Sequence, residues 1–237
     1  MKKMIAFSLI VAAVALRAEA VPVVAWDLDK YENNKVAAST GKFTATAVRP
    51  EHIKSVPGKL NNALNFQGGY KGNKASALIV RNFNFDFSKP FTFEVIFKLD
   101  KGVDHKNNRE IFNMADGERG PGVRFNFYYN SLGIRSGDGK KHVHCGTNNT
   151  RTNVSADEWH MATVTYDGKI VSVYLDGVLA NQREMTITPA KNRTLTIGSY
   201  KAGYCYPLRG AVDDLKFYTV CKNASDVAEA YIAVFGE

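Results

Sequence analysis

Residues 154–180 read VSADEWHMATVTYDGKIVSVYLDGVLA, and their spacing decides the fold. In Met161–Tyr166 and again in Ile170–Leu175, apolar and polar residues alternate with period two, the pattern of a half-buried strand. Asp167-Gly168 separates the two runs and Asp176-Gly177 ends the second; both pairs supply the positive φ that tight turns require. A hairpin is predicted, with Trp159 buried between two sheets as a cornerstone and His160 beside it in a structural role. Working outward, the same alternation recurs. FTFEVIFKL (Phe91–Leu99) puts Phe91, Phe93, Val95, Phe97 and Leu99 on one face. VRFNFYYN (Val123–Asn130) puts Val123, Phe125, Phe127 and Tyr129 on one face and Arg124, Asn126 and Tyr128 on the other. LTIGSY (Leu195–Tyr200) and AVDDLKFYT (Ala211–Thr219) complete the set, while Lys30–Lys59 reads as loop with short edge strands. Only the last stretch changes period: Asn223 or Ser225 can cap a short helix whose one face carries Val227, Tyr231 and Val234.

Many short strands separated by Gly, Asn and Asp turns predict an all-β domain, a two-sheet antiparallel sandwich closed by one short helix. The extreme N-terminus is different again. Lys2 and Lys3 precede the apolar run Met4–Leu16, and Ala18-Glu19-Ala20 has the small-x-small form of a cleavage site. That run is too short to span a bilayer as a helix, so residues 1–20 read as a signal peptide cut after Ala20, with no transmembrane anchor. The predicted product, residues 21–237, is one secreted or periplasmic domain. Losing three cations and one anion with the signal lowers the formal charge from +8 to +6. A basic exported protein is drawn to polyanions. The cations are scattered in no run longer than a pair, so solubility is the plainer reading of the charge; the partner expected is a glycan or another surface polymer, acidic in one reading, and not nucleic acid. Three cysteines, Cys145, Cys205 and Cys221, allow one disulfide and one leftover thiol in any of three pairings.

The chain resembles laminin-G-like, concanavalin A-like domains. Residues 154–180 are similar to that family's W-H-x-x-A-x-T-Y-D-G…Y-x-D-G core, and LTIGSYKAGYCYPLRGAVDDLKFYTV (Leu195–Val220) is similar to its following block. WDLD (Trp26–Asp29) and GKLNNALNFQGG (Gly58–Gly69) resemble its opening strands, and FTFEVIFKL takes the place of its F-T-[VI]-x-x-W strand, with Phe97 where tryptophan is usual. The resemblance implies a jelly roll. It also implies a structural Ca²⁺ at the rim, with Asp29 and Asp213 at the matching positions, although such an ion takes six to eight oxygens.

Function does not follow from this fold, which carries glycosidases, lyases, lectins and inert interaction modules. The glucanase pattern E-x-D-x-x-E has its nearest counterpart in DLDKYE (Asp27–Glu32), which begins with Asp and lies on the first strand, so it reads as a strand end. A non-catalytic carbohydrate-binding surface needs aromatics and planar polar groups, and Arg124, Asn126, Tyr128, Arg135, His142 and Tyr200 are the candidates. The alternative is a lyase on acidic polysaccharide. Arg109-Glu110, His142-Val143-His144 and YKAGYCY (Tyr200–Tyr206) follow the order of alginate-lyase motifs, with His142 in place of a glutamine, which would make Arg109, His144 and Tyr204 the catalytic set. A structural or protein-interaction module is the third class. A convergent Arg/His/Tyr cleft is the feature that favours the lyase. Four N-x-[ST] sequons (Asn148, Asn153, Asn192 and Asn223) read as chance.

Overall fold

A computed structural model describes residues 20–69, 72, 74–103, 107–128, 131–147 and 154–236. The predicted signal segment before Ala20, Tyr129, and the sequons at Asn148 and Asn153 lie outside the described residues. In chain order the strands are β1 (Val24–Trp26), β2 (Lys35–Ala37), β3 (Thr44–Val48), β4 (Ile53–Pro57), β5 (Asn62–Phe66), β6 (Ala77–Val80), β7 (Phe91–Leu99) and β8 (Arg109–Ala115). There follow β9 (Gly122–Tyr128), β10 (Ser131–Gly137), β11 (His142–Gly146), β12 (Trp159–Tyr166), β13 (Ile170–Leu175), β14 (Val178–Glu184), β15 (Leu195–Ile197), β16 (Gly210–Tyr218) and the helix α1 (Ala224–Phe235).

These strands form two antiparallel sheets. One runs β14-β13-β12-β7-β16-β5-β4 with β1 also on β16; the other runs β11-β10-β9-β8-β15-β6-β3-β2. The predicted hairpin is β12–β13, with Thr163 opposite Tyr174 and Val164 opposite Val173, and Gly168 takes φ 104° in its turn. Three short strands lie within Lys30–Lys59, at the sheet margins.

Between the sheets the core is aromatic. Phe93 of β7 meets Phe112 and Phe125 of the other sheet at ring-centroid distances of 4.8 and 4.9 Å. Each such phenylalanine contributes about 1.5–3 kcal/mol through burial alone. The cornerstone tryptophan is Trp26, fully buried and packed on Phe43, Phe83 and Phe217. Trp159 is only partly buried, at the start of β12 with the Lys98 ammonium 5.3 Å from its ring, which corrects the sequence expectation. His160 fits its structural reading: Nδ1 lies 2.8 Å from Asp176 Oδ2 and Nε2 lies 3.0 Å from Ser155 Oγ. All three cysteines are free thiols, Cys145 and Cys205 buried and Cys221 exposed, so the expected single disulfide is not formed.

On the outer face of the first sheet, Glu94 accepts from Lys222 Nζ (2.6 Å) and Tyr218 OH (2.6 Å), close to the helix. Asn223 and Asp226 form a capping box there, and Val227 is the helix's buried anchor. Among the described residues no helix is long and apolar enough to cross a membrane.

Candidate functional site

Strand β9 sets the site. Val123, Phe125 and Phe127 enter the core, so period two turns Arg124, Asn126 and Tyr128 to the outer face of the second sheet. The register then places Arg135 opposite Arg124, Gly133 opposite Asn126, and His144 opposite Arg135. A β-bulge between Glu110 and Phe112 re-aims β8. Strict alternation would send Glu110 inward with Phe112; the extra residue, Ile111, lets Glu110 join Asn126 on the outer face. Arg109 pairs with Phe127 instead and belongs to the reverse face. A Cβ on Gly146 would stand 2.6 Å from the His144 ring, so only glycine leaves room for that imidazole.

The loop between β15 and β16 lays two more rings on this face. Lys201, Ala202 and Gly203 all take positive φ, and the turn closes through Tyr200 N–H donating to the Cys205 carbonyl (2.9 Å). The Arg124 guanidinium carbon consequently lies 4.2 Å from the Tyr200 ring centroid and 5.8 Å from that of Tyr206. Tyr206 OH donates to Glu118 (2.8 Å). The Arg135 guanidinium lies 4.3 Å from the Tyr128 centroid, and Tyr128 packs edge-on against His142 and His144 at 5.4 and 5.6 Å. Arg124, Asn126, Arg135, Glu110 and Tyr200 are buried, while Tyr128, His142, His144 and Tyr206 remain partly exposed around them.

Electrostatics follow from that burial. Burial pushes the Glu110 carboxyl up, and Arg124, which donates from Nε (2.9 Å) and Nη2 to Glu110 Oε1, pulls it back only in part. Burial also works against the charge on Arg124, but Glu110 more than offsets it and the guanidinium is raised. Arg135 lacks that partner: burial, then Arg124, lower it. The same two effects, burial first and Arg135 second, bring His144 down to about 4, so its imidazole is neutral at pH 7. Burial pushes Tyr200 up to about 12 and keeps its phenol protonated.

Among the described residues, six buried polar atoms on this one face have no hydrogen-bond partner: Glu110 Oε2, Asn126 Oδ1, Arg135 Nε and Nη2, His144 Nε2 and Tyr200 OH. Folded proteins leave few such atoms, because each costs about 1–3 kcal/mol, more when charged. Grouped donors and acceptors of this kind are what a bound polyhydroxylated molecule satisfies.

Of the residues singled out in the sequence, the structure gathers Arg124, Asn126, Tyr128, Arg135, His142, His144 and Tyr200. It does not bring Arg109 or Tyr204 to them; Tyr204 is 52% exposed on the loop, and Tyr206 takes the place beside Arg124. Asp29 and Asp213 lie elsewhere, clamping the 58–62 turn. Asp213 Oδ2 accepts from the amides of Lys59 and Leu60 (both 2.8 Å), and Asp29 accepts from the Asn62 amide (2.9 Å) and the Asn61 side chain (3.2 Å). Three of the four carboxylate oxygens are thus committed to N–H donors, leaving Asp213 Oδ1 without a partner. The oxygens that Asp29 and Asp213 would offer Ca²⁺ are mostly engaged by N–H donors, and among the described residues no group of three or more His, Cys, Asp or Glu is arranged to hold a metal. Burial, then Asp214 and Asp29, raise the Asp213 carboxyl to about 7 against its two amide bonds.

Sequence comparison agrees with this architecture. A laminin-G family model, described as the concanavalin A-like lectin/glucanases superfamily, matches residues 71–228. The chain belongs to that superfamily. No curated protein matches it. Among solved structures, the chain is similar to the botulinum neurotoxin serotype D binding domain, at TM-score 0.67 and 13% identity, over 90% of this chain and 51% of that one. It is similar to the binding domain of Paraclostridial Mosquitocidal Protein 1, at TM-score 0.67 and 15% identity, over 90% and 52%. It is also similar to the serotype D ligand binding domain in complex with N-acetylneuraminic acid, at TM-score 0.66 and 12% identity, over 90% and 50%. The chain spans about half the length of these structures, and at such identities the likeness is one of fold. Within the superfamily frame, Glu110 and Tyr206 are the site residues that sequence reasoning missed. The bulge hides the first. The second falls in a loop whose path no periodicity predicts.

Proposed function

We propose that this protein is an exported carbohydrate-binding module whose site is the outer face of β8–β11. The observation that carries the reading is the group of buried polar atoms without partners, Glu110 Oε2, Asn126 Oδ1, Arg135 Nε and Nη2, His144 Nε2 and Tyr200 OH, set among tyrosine rings. Planar polar groups beside aromatic faces are what sugar hydroxyls and sugar rings call for. The binding domains of similar fold support recognition over catalysis, one of them having been solved with N-acetylneuraminic acid. Export through residues 1–20 belongs to the same proposal, and N-terminal sequencing of the secreted product should begin at Val21.

The test is a glycan array of neutral and acidic polysaccharides followed by calorimetry, with Arg124→Gln and Tyr128→Ala as variants. Binding that both variants weaken supports the assignment; no binding to any glycan refutes it. A second reading, lyase action on an acidic polysaccharide, is favoured by the convergence of Arg135, His144 and Tyr200. It requires turnover, which binding does not.

A further inference from the structure

We infer that the sugar bound here carries a carboxylate and that Arg135 is the residue that holds it, an assignment that rests on the carbohydrate-binding reading above. The argument is one of charge and geometry. Arg124 and Glu110 neutralise each other, with both Nε and Nη2 of Arg124 directed to one oxygen of Glu110. Arg135 is 3% exposed, and no described carboxylate lies within ion-pair distance of it. A guanidinium stays protonated in a protein, so Arg135 holds a buried positive charge with no direct ion pair among the described residues; Glu110 and Glu118 act on it only through space and do not offset burial and Arg124.

The other outer face shows how the chain treats buried charge when no ligand is needed. There Lys222 and Glu94 pair at 2.6 Å, and Tyr218 OH satisfies the remaining carboxylate oxygen. Arg135 has no such partner among the described residues. Its two free donors, Nε and Nη2, lie on one edge of the guanidinium plane, where a fork of parallel N–H bonds matches the two oxygens of a carboxylate. The Tyr128 ring lies 4.3 Å from the guanidinium and is partly exposed, so on this assignment Tyr128 is the group that must move to admit the carboxylate. Neutral His144 and the Asn126 carbonyl, both with unpartnered atoms nearby, are left for neighbouring hydroxyls.

The experiment titrates the full exported chain with a panel of uronate oligosaccharides, the same oligosaccharides as methyl esters, and sulfated oligosaccharides of matched length. Esterification removes the charge and leaves the sugar. Wild type is expected to prefer acid to ester by about 100-fold, the scale on which a buried charge pair is lost. Arg135→Met should bind acid and ester equally weakly and melt no lower than wild type, because it removes an unpaired buried cation. Arg135→Lys keeps the charge without the fork and should retain under about a tenth of the acid affinity. Several results overturn the assignment while leaving carbohydrate binding in place: ester binding as tight as acid, an acid preference that survives in Arg135→Met, full acid affinity in Arg135→Lys, tighter binding of the sulfated series, or a lowered melting temperature in Arg135→Met. Failure of every glycan to bind would instead remove the carbohydrate reading itself.

Discussion

Asp213 shows how far one side chain's surroundings can move it. Its carboxyl sits near 7 in the folded protein, against an ordinary value of 3.8. The native state therefore holds a proton that the unfolded chain releases, and stability from this group falls as pH rises from about 4 to about 7. Asp213→Asn mimics the protonated form and keeps an oxygen for the Lys59 and Leu60 amides. The variant is expected to melt at or above wild type at pH 8 and at or below it at pH 5, by thermal melts across that range. Calcium enters the same experiment. With three of the four Asp29 and Asp213 oxygens already accepting N–H bonds, added Ca²⁺ should leave the pH 8 melting temperature unchanged. A calcium-dependent rise that Asp213→Asn abolishes would restore the metal site. The two tryptophans make a second residue-level contrast. Trp26→Ala should cost about 3–5 kcal/mol, a large share of a domain's stability, because the ring is enclosed by Phe43, Phe83 and Phe217. Trp159→Ala should cost under about 1.5 kcal/mol, since part of its ring is already in water. Denaturant midpoints decide both, and equal losses at the two sites would mean that burial does not set the cost.

Helix α1 docks beside a buried ion pair, and an element held this way has a recognisable mutational signature. Lys222→Met leaves Glu94 charged and unpaired in a 5%-exposed position, which should cost about 3–5 kcal/mol. Adding Glu94→Gln should recover most of that loss, because the pair is then absent and not broken. A double variant as unstable as Lys222→Met alone would show that the charges do more than compensate each other. The strands tell which parts of such elements a sequence reveals. Alternation in Phe91–Leu99 and Val123–Tyr128 was legible because each strand has one face on the core, and a one-residue slip would expose every phenylalanine. The β12–β13 hairpin was legible from Asp167-Gly168 because its turn is local. Glu110 was not, since the bulge at Ile111 arises from how β8 meets β9 and leaves no periodic trace. Nor was Tyr206, carried onto Arg124 by a loop whose turn depends on close approach; a Cβ on Gly203 would meet the Ala75 carbonyl at 2.6 Å. Thus the strand-borne half of the candidate site could be read directly, and the loop-borne half could not.

At the scale of the whole molecule, two sheets share one aromatic core and differ in what they carry outside. On the first sheet Glu94 is paired with Lys222 close to the helix and Asp213 is held by backbone amides, while the second sheet gathers arginines, histidines and tyrosines with several atoms left unbonded. On the proposed reading that asymmetry makes one side scaffold and the other the recognition face, and it bears on whether recognition leads to chemistry. β-Elimination needs a base that gains a proton and an acid that gives one up near the working pH. His144, brought down to about 4, is a weak base, and Tyr200, pushed up to about 12, is a reluctant donor. Both stay neutral through the physiological range, which suits hydrogen bonding better than proton transfer. Glycan affinity should accordingly be flat between pH 5 and 8. His144's own contribution to stability should fall as pH drops from about 6.5 toward 4, opposite in sign to that of Asp213, and thermal melts of His144→Ala against wild type across that range isolate it. Incubation of the protein at high concentration with alginate or related polyuronates should produce no growth in the ultraviolet absorbance of unsaturated uronate. Sustained growth that disappears in His144→Ala, with glycan affinity largely kept, would reverse the order of the two readings and make the same face a lyase centre.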